Sequence, residues 1–202
     1  MIPKNRKIKI VKNQVYNFVV LQSRMKNIIL TTLNSRYSHS SLGLRYLIAN
    51  LKELKPQAEI LEFVINSSVQ TIAEQILEKQ PKIIGIATYI WNAFDVGELV
   101  KIIKKVSPET MVVLGGPEVS YTPLRVNFDM ADYIICGEGE VSFYNLCREL
   151  LDGTCQQPRT ISSPKVDLEN IVLPYDDYTD FDIKNRHIYV ENARGCPFEC
   201  EF

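Results

Sequence analysis

Histidine occurs only twice in this 202-residue chain, at His39 and His187. Neither has partners at a useful spacing, so the sequence suggests no Ser/His/Asp or Cys/His arrangement for nucleophilic catalysis. An excess of one charge is missing as well. Lys+Arg total 23 against 24 Asp+Glu, a net charge of -1 that gives no electrostatic footprint for nucleic acid or an anionic membrane. The basic run Lys4, Arg6, Lys7, Lys9 and Lys12 reads as a solvated tail. Long apolar runs are absent, none approaching the roughly eighteen residues that a membrane span requires. Val15 to Leu21 is too short and interrupted for a signal-peptide core. Neither a G-x-G-x-x-G nor a Walker loop occurs, so a nucleotide cradle has no positive support. Five cysteines, an odd number without disulfide-scaffold spacing, fit a reduced, cytoplasmic protein.

What is present is enough for a buried core: 46% of residues are hydrophobic and 23% charged. Residues 1–24 are basic and amide-rich and are expected to be a poorly ordered extension, a start at Met25 giving a tidier domain. From Met25 short apolar strands alternate with amphipathic helices. Strands are expected at Asn27–Leu33, Glu59–Ile65, Ile83–Ala87, Met111–Leu114 and Tyr133–Cys136. A helix over Leu42–Leu54 carries Leu44, Leu47, Ile48, Leu51 and Leu54 on one face, and Pro56 forbids its continuation. Others are expected from the Ser68 cap, over Phe94–Val106 and over Glu140–Leu151, with a weaker helix or turn near Pro123–Met130. Continuously apolar strands between amphipathic helices imply a parallel sheet covered on both faces. The expected fold is therefore a flavodoxin-like α/β domain over residues 25–151, with five parallel strands in the order 2-1-3-4-5. Residues 152–186 have linker composition, and His187–Glu191 is expected to open a new strand.

Ligands of such sheets bind at the carboxyl ends of the strands. The loops there are Asn34–Ser41, Thr88–Asn92, Gly115–Tyr121 and Gly137–Glu140. Gly115-Gly116 lets backbone approach a ligand closely; equally, Gly-Gly-Pro is a sharp exit from a strand. Gly137-Glu138-Gly139-Glu140 is by default a turn and a helix start. His39 fits a hydrogen-bonded loop residue, a base or a metal ligand. Trp91 either covers a flat ligand or packs on the next helix. Cys136, Cys147 and Cys155 read as two buried small hydrophobes and a linker thiol. The last nine residues hold Cys196 and Cys200 in a Cys-x-x-x-Cys pair, which needs further thiolates to close around a metal or cluster.

Assembled, these motifs resemble the N-terminal half of the cobalamin-binding radical S-adenosylmethionine (SAM) enzymes. The residues that carry the resemblance are Asn34-Ser35-Arg36-Tyr37-Ser38-His39, Gly115-Gly116-Pro117-Glu118, Asp132-Tyr133 followed by Gly137-Glu138-Gly139-Glu140, Leu173-Pro174-Tyr175, and Glu191-Asn192-Ala193-Arg194-Gly195-Cys196 through Cys200. The resemblance implies a cobalamin-binding domain, a linker, and a radical SAM barrel that begins at about His187 and is cut off within its cluster motif. In that family Cys-x-x-x-Cys-x-x-Cys holds a [4Fe-4S] cluster that chelates SAM. Cys196 and Cys200 match its first two positions, so cluster and SAM are expected only in a longer protein, and this chain alone is expected to be inactive. Asn34, Ser35, Arg36, Tyr37, His39, Thr88, Tyr89, Gly115, Gly116, Pro117, Glu118, Gly137, Glu138 and Gly139 would line the cofactor. Members that ligate cobalt through histidine use Asp-x-His-x-x-Gly. Here Tyr37 stands at the Asp position and Gly43 comes one residue late, which implies cobalamin held base-off without a histidine ligand. Two rival readings stand beside this one: a flavodoxin-like binding or regulatory domain that no longer binds cobalamin, and a zinc site at Cys196 and Cys200 completed by another chain.

Overall fold

The computed structural model describes residues 25–121 and 124–195. The expectations for residues 1–24 and for Cys196 and Cys200 lie outside the described residues.

β1 (Ile28–Asn34) is buried along its whole length and pairs in parallel with β2 (Ala58–Val64) on one side and β3 (Ile83–Ala87) on the other. β4 (Met111–Gly115) and β5 (Tyr133–Cys136) extend the sheet, and a sixth strand, β6 (Thr160–Ser162), pairs in parallel with β5. The order is β2-β1-β3-β4-β5-β6. The expected 2-1-3-4-5 arrangement is present, and the five-strand expectation is corrected to six. β6 is a three-residue edge strand whose sole apolar residue, Ile161, faces an otherwise polar sequence, so it leaves no periodic signal.

Side-chain alternation divides the core in two. Ile29, Leu33, Ile84, Ile86, Val112 and Leu114 pack under α2 (Val69–Leu77) and α3 (Ala93–Val106). Ile28, Leu30, Ile83, Val113 and Ile135 face α1 (Leu42–Ala49) and α5 (Glu140–Asp152). Ser41 and Ser68 cap α1 and α2 by accepting from Leu44 N and Thr71 N. Among the described residues no helix is long and apolar enough to cross a membrane.

Two local expectations are corrected and a third is made more definite. The helix at Leu42 ends at Ala49, not Leu54, and a 3-10 helix follows over Lys52–Gln57. Asn50 draws the chain out of the helix: its amide donates to Val172 O at 2.9 Å and accepts from Val172 N at 2.8 Å. Near Pro123–Met130, where a weaker helix or turn is expected, the described residues 124–130 hold a turn at Asp129–Met130, and the four-residue helix α4, Pro117–Ser120, lies just before them. Farther on, the Asn127 side chain accepts from Asp129 N at 2.6 Å, a local turn that competes with helix formation. His187–Glu191 is not a strand. Its backbone is satisfied by loop partners, His187 N donating to Ser38 O (2.7 Å) and Tyr189 N to the Tyr178 hydroxyl (3.2 Å).

The chain after β6 returns over the α1 face. α6 (Asp180–Asn185) opens with a capping box between Thr179 and Asp182. It is pinned by a buried cluster of four charges. Arg45 Nη2 lies 2.9 Å from both Glu62 Oε2 and Asp182 Oδ2, and Arg186 Nη1 lies 2.7 Å from Glu62 and 3.1 Å from Asp182. Glu62 Oε1 also accepts from Ser41 N and Asn34 Nδ2, so the cluster fixes the loop after β1 together with the returning segment.

Candidate functional site

The chain leaves β1 toward β2 and re-enters on the opposite side at β3, which makes the carboxyl ends of β1 and β3 the switch point. That crevice is plugged. Asn92 is fully buried, and its Nδ2 donates to Thr32 Oγ1, Leu33 O and Ala87 O at 3.1–3.2 Å. Trp91 Nε1 caps the same Leu33 carbonyl at 3.2 Å.

The open space lies beside it, above β3, β4 and β5 and between α1 and α5, as a cavity of about 460 Å³. Glycine creates it. A Cβ at Gly85 would meet Leu30 and Phe143 at 2.9 Å, so this strand glycine lets the Phe143 ring lie against the sheet as the cavity floor. A Cβ at Gly139 would meet Leu47 of α1 at 3.0 Å. Gly116 has φ +103 and ψ 174, and a Cβ there would fall 2.6 Å from Thr88 O. Thr88 N donates to Gly115 O (2.7 Å), and Glu118 N to Thr88 O (3.3 Å), locking the β3 and β4 exits together. Among the described residues, the Thr88 hydroxyl beside them is buried without a partner.

An aromatic shelf borders the cavity. Tyr89 and Trp91 stack at 4.5 Å with their planes 5° apart, and Trp91 is 47% exposed. Burial pushes the Tyr89 hydroxyl above its usual range, partly offset by a hydrogen bond with Ser41. At the α5 end, Arg194 Nη1 pairs with Glu140 Oε1 at 2.7 Å and Nη2 with Glu191 Oε2 at 2.8 Å, while Glu138 lies 3.9 Å away. The guanidinium sits 4.7 Å above the Tyr46 ring. Burial works against the Arg194 charge, but its carboxylate partners outweigh it and raise its pKa further. The Arg194 hydrogen bond in turn holds the Glu191 carboxyl below its usual range. Tyr46 is raised by burial and by Glu191.

Of the residues singled out in the sequence, Tyr89, Gly115, Gly116 and Pro117 line the cavity from β3 and β4, and Gly137, Glu138 and Gly139 from β5. Thr88 and Glu118 stand behind Gly116, joined through the hydrogen bond above. The first loop is placed elsewhere. Asn34 is buried and donates to His39 O and Glu62, whereas Ser35, Arg36 and Tyr37 are exposed and outside the cavity. His39 Nδ1 meets the Tyr189 hydroxyl, and its ring lies 5.8 Å from that of His187. Among the described residues, no group of three or more His, Cys, Asp or Glu is placed to hold a metal ion.

Sequence reasoning missed Gly43, Tyr46 and Leu47 on α1, Gly85 and Phe143 on the floor, and Glu140, Glu191 and Arg194 at the rim. Gly85 left a signal, a glycine inside an otherwise β-branched strand, which marks close approach of another group. The rim residues stand in motifs of the resemblance, but nothing in the sequence shows that they meet, because 54 positions separate Glu140 from Arg194.

Comparison with known proteins bears on this cavity. An uncharacterised methyltransferase of Pyrococcus horikoshii is 28% identical over 187 residues, covering 80% of this chain and 39% of that protein. The cobalamin-dependent radical SAM methyltransferase TokK of Streptomyces tokunonensis is 28% identical over 163 residues, covering 66% of this chain and 23% of that protein. The chain thus spans two fifths or less of the length of these relatives. A solved cobalamin-binding protein from Desulfitobacterium hafniense DCB-2 overlays with a TM-score of 0.41 at 18% identity, over 64% of this chain and 60% of that one. That overlay is too loose to add to the case. The B12 binding domain family matches residues 28–147, from the first residue of β1 to the middle of α5 and through every wall of the cavity except Glu191 and Arg194. The match covers more than half of the chain, which therefore belongs to the B12-binding domain family.

Proposed function

We propose that this chain binds cobalamin at the carboxyl ends of β3–β5 and presents it to a radical SAM domain, within a longer methyltransferase-like enzyme. The observation that carries the reading is the cavity between α1 and α5, opened by glycines and lying inside the family match. Its volume of about 460 Å³ is within the range of small-molecule sites, roughly 300–1,000 Å³. That is room for a flat aromatic base and part of a nucleotide tail, while a corrin macrocycle must lie outside it. The residues fit such a division. Leu47, Phe143 and the glycine-opened sheet give the tail an apolar slot, and the Tyr89–Trp91 shelf offers a flat surface next to it.

Bound cobalamin supplies a cobalt centre able to carry a methyl group. This chain's residues hold and orient it. Gly116 lets backbone approach with no side chain in the way, and the Asn92 plug keeps water from the switch point beneath. His39 Nδ1 is engaged by the Tyr189 hydroxyl, in keeping with a base-off cofactor without a histidine ligand. Cys196 and Cys200 would contribute two ligands of a [4Fe-4S] cluster, with SAM at its open iron.

The experiment is a titration of the 202-residue chain with hydroxocobalamin, followed by its visible absorption. The expected result is saturable binding of one cofactor per chain. No saturable change up to high micromolar concentration favours the rival reading, a flavodoxin-like domain without the cofactor.

A further inference from the structure

The segment between α6 and Cys196 takes a path that neither the sheet nor the family match explains. At one end, His187 N donates to Ser38 O and Ser40 Oγ donates to His187 O, both at 2.7 Å, which ties it to the loop after β1. At the other end Arg194 pairs with Glu140 at the start of α5, just after β5. In the sheet β1 and β5 are separated by β3 and β4, three interstrand steps or roughly 14 Å. Residues 187–194 reach at most about 23 Å when extended, so the segment is long enough to make the crossing. α1 and α5 lie on the same face with the cavity between them, so the crossing passes over the cavity, and Glu191 and Arg194 line it.

The ties along the crossing are few and polar. The Tyr178 hydroxyl donates to Tyr189 O (3.0 Å) and the Tyr175 hydroxyl to Glu191 O (3.1 Å). No strand pairing holds it. At its far end three carboxylates, Glu138, Glu140 and Glu191, gather around the Arg194 guanidinium. Without that guanidinium they would face one another, and the segment would lose its attachment to α5.

We propose that residues 187–195 form a strap that closes over the bound cofactor, with Arg194 as the positioning residue that latches it. The proposal rests on the cobalamin reading above. Cofactor entry requires the latch to open. Once the latch closes, an occupied cavity fixes the backbone that runs directly into Cys196. Cofactor occupancy and the position of residues 187–195 are thereby coupled through one ion-pair cluster.

The test uses the 202-residue chain, hydroxocobalamin, dissociation kinetics and hydrogen exchange. In the wild type, hydroxocobalamin is expected to slow exchange of the amides of residues 187–195. Arg194→Gln is expected to release the cofactor at least about tenfold faster and to lose that protection, while exchange in β1 and β4 stays unchanged. Arg194→Lys should fall between the two. If Arg194→Gln fails to fold, Glu140→Gln breaks the same pair from the α5 side and should give the same two changes. Equal dissociation rates in folded wild type and variants would overturn the proposal, as would cofactor binding without protection of residues 187–195. A wild-type chain that takes up no hydroxocobalamin removes the cavity reading itself and the strap with it.

Discussion

Gly115 and Gly116 are adjacent, and replacing each with alanine should produce opposite results. At Gly116 the backbone sits at φ +103, ψ 174, a region essentially restricted to glycine, where another residue costs about 1–3 kcal/mol. A Cβ there would also fall 2.6 Å from Thr88 O and 3.0 Å from Thr88 N, both backbone atoms. Relief requires parting the β3 and β4 exits and losing the Glu118 N to Thr88 O hydrogen bond, about 1 kcal/mol more. Gly116→Ala should therefore destabilise the fold by about 3 kcal/mol. At Gly115 a Cβ would find nothing nearer than Ile135 O at 3.8 Å, and the residue is an ordinary strand position that lines the cavity. Gly115→Ala should change stability by less than about 1 kcal/mol yet weaken hydroxocobalamin binding, because its methyl group enters the ligand space. Urea unfolding followed by circular dichroism gives the stabilities, and spectroscopic titration gives the affinities. Gly116→Ala as stable as wild type would refute the strain argument. Gly115→Ala with unchanged affinity would refute the placement of the cofactor.

The buried charge cluster, the core and the first loop give three more expected outcomes. Asp182→Asn leaves Arg45 and Arg186 short of a carboxylate in a cluster where Asp182 is 3% exposed, and should cost roughly 3 kcal/mol in urea unfolding. Burial opposes ionisation of Asp182, but hydrogen bonds from Thr179 and Arg45 outweigh it and lower its pKa below the ordinary 3.8. Its stabilisation is therefore complete above about pH 4 and is lost as pH falls through the lowered folded value; Asp182→Asn should lack that share of the acid-side loss. Leu114→Ala, near the end of β4 and fully buried, should destabilise by about 3 kcal/mol through cavity formation, read from the same urea assay. His39→Ala should leave the electron paramagnetic resonance spectrum of the cob(II)alamin complex unchanged, with no nitrogen splitting in either protein; loss of such splitting in the variant would make His39 a cobalt ligand.

The sheet was legible in the sequence because each central strand is apolar on both faces and each long helix carries a single apolar stripe. β1 to β5 and α1, α2, α3 and α5 all rest on that signal. β6 was not legible, since a three-residue polar edge strand is defined by its partner β5 and has no pattern of its own. The end of α1 was misjudged because Asn50 answers to Val172, 122 positions away. The site divided along the same line. Gly115, Gly116, Gly137 and Gly139 announce themselves as strand exits, and they meet at one cavity. The first loop looked like a ligand loop from its polarity, but Asn34 and Ser41 serve Glu62 and the buried charge cluster, and His39 turns to Tyr189. Tyr46 and Arg194, 148 positions apart, are brought together only by the return of the chain over α1.

The most direct test of the account is the position of cobalt in crystals of the chain grown with hydroxocobalamin, located by anomalous scattering at the cobalt edge. The account predicts a single peak above the Gly115–Gly116 exit, next to the Tyr89–Trp91 shelf, with density for the nucleotide tail between α1 and α5. A cobalt peak at His39, or an empty cavity with cofactor bound elsewhere, would contradict it.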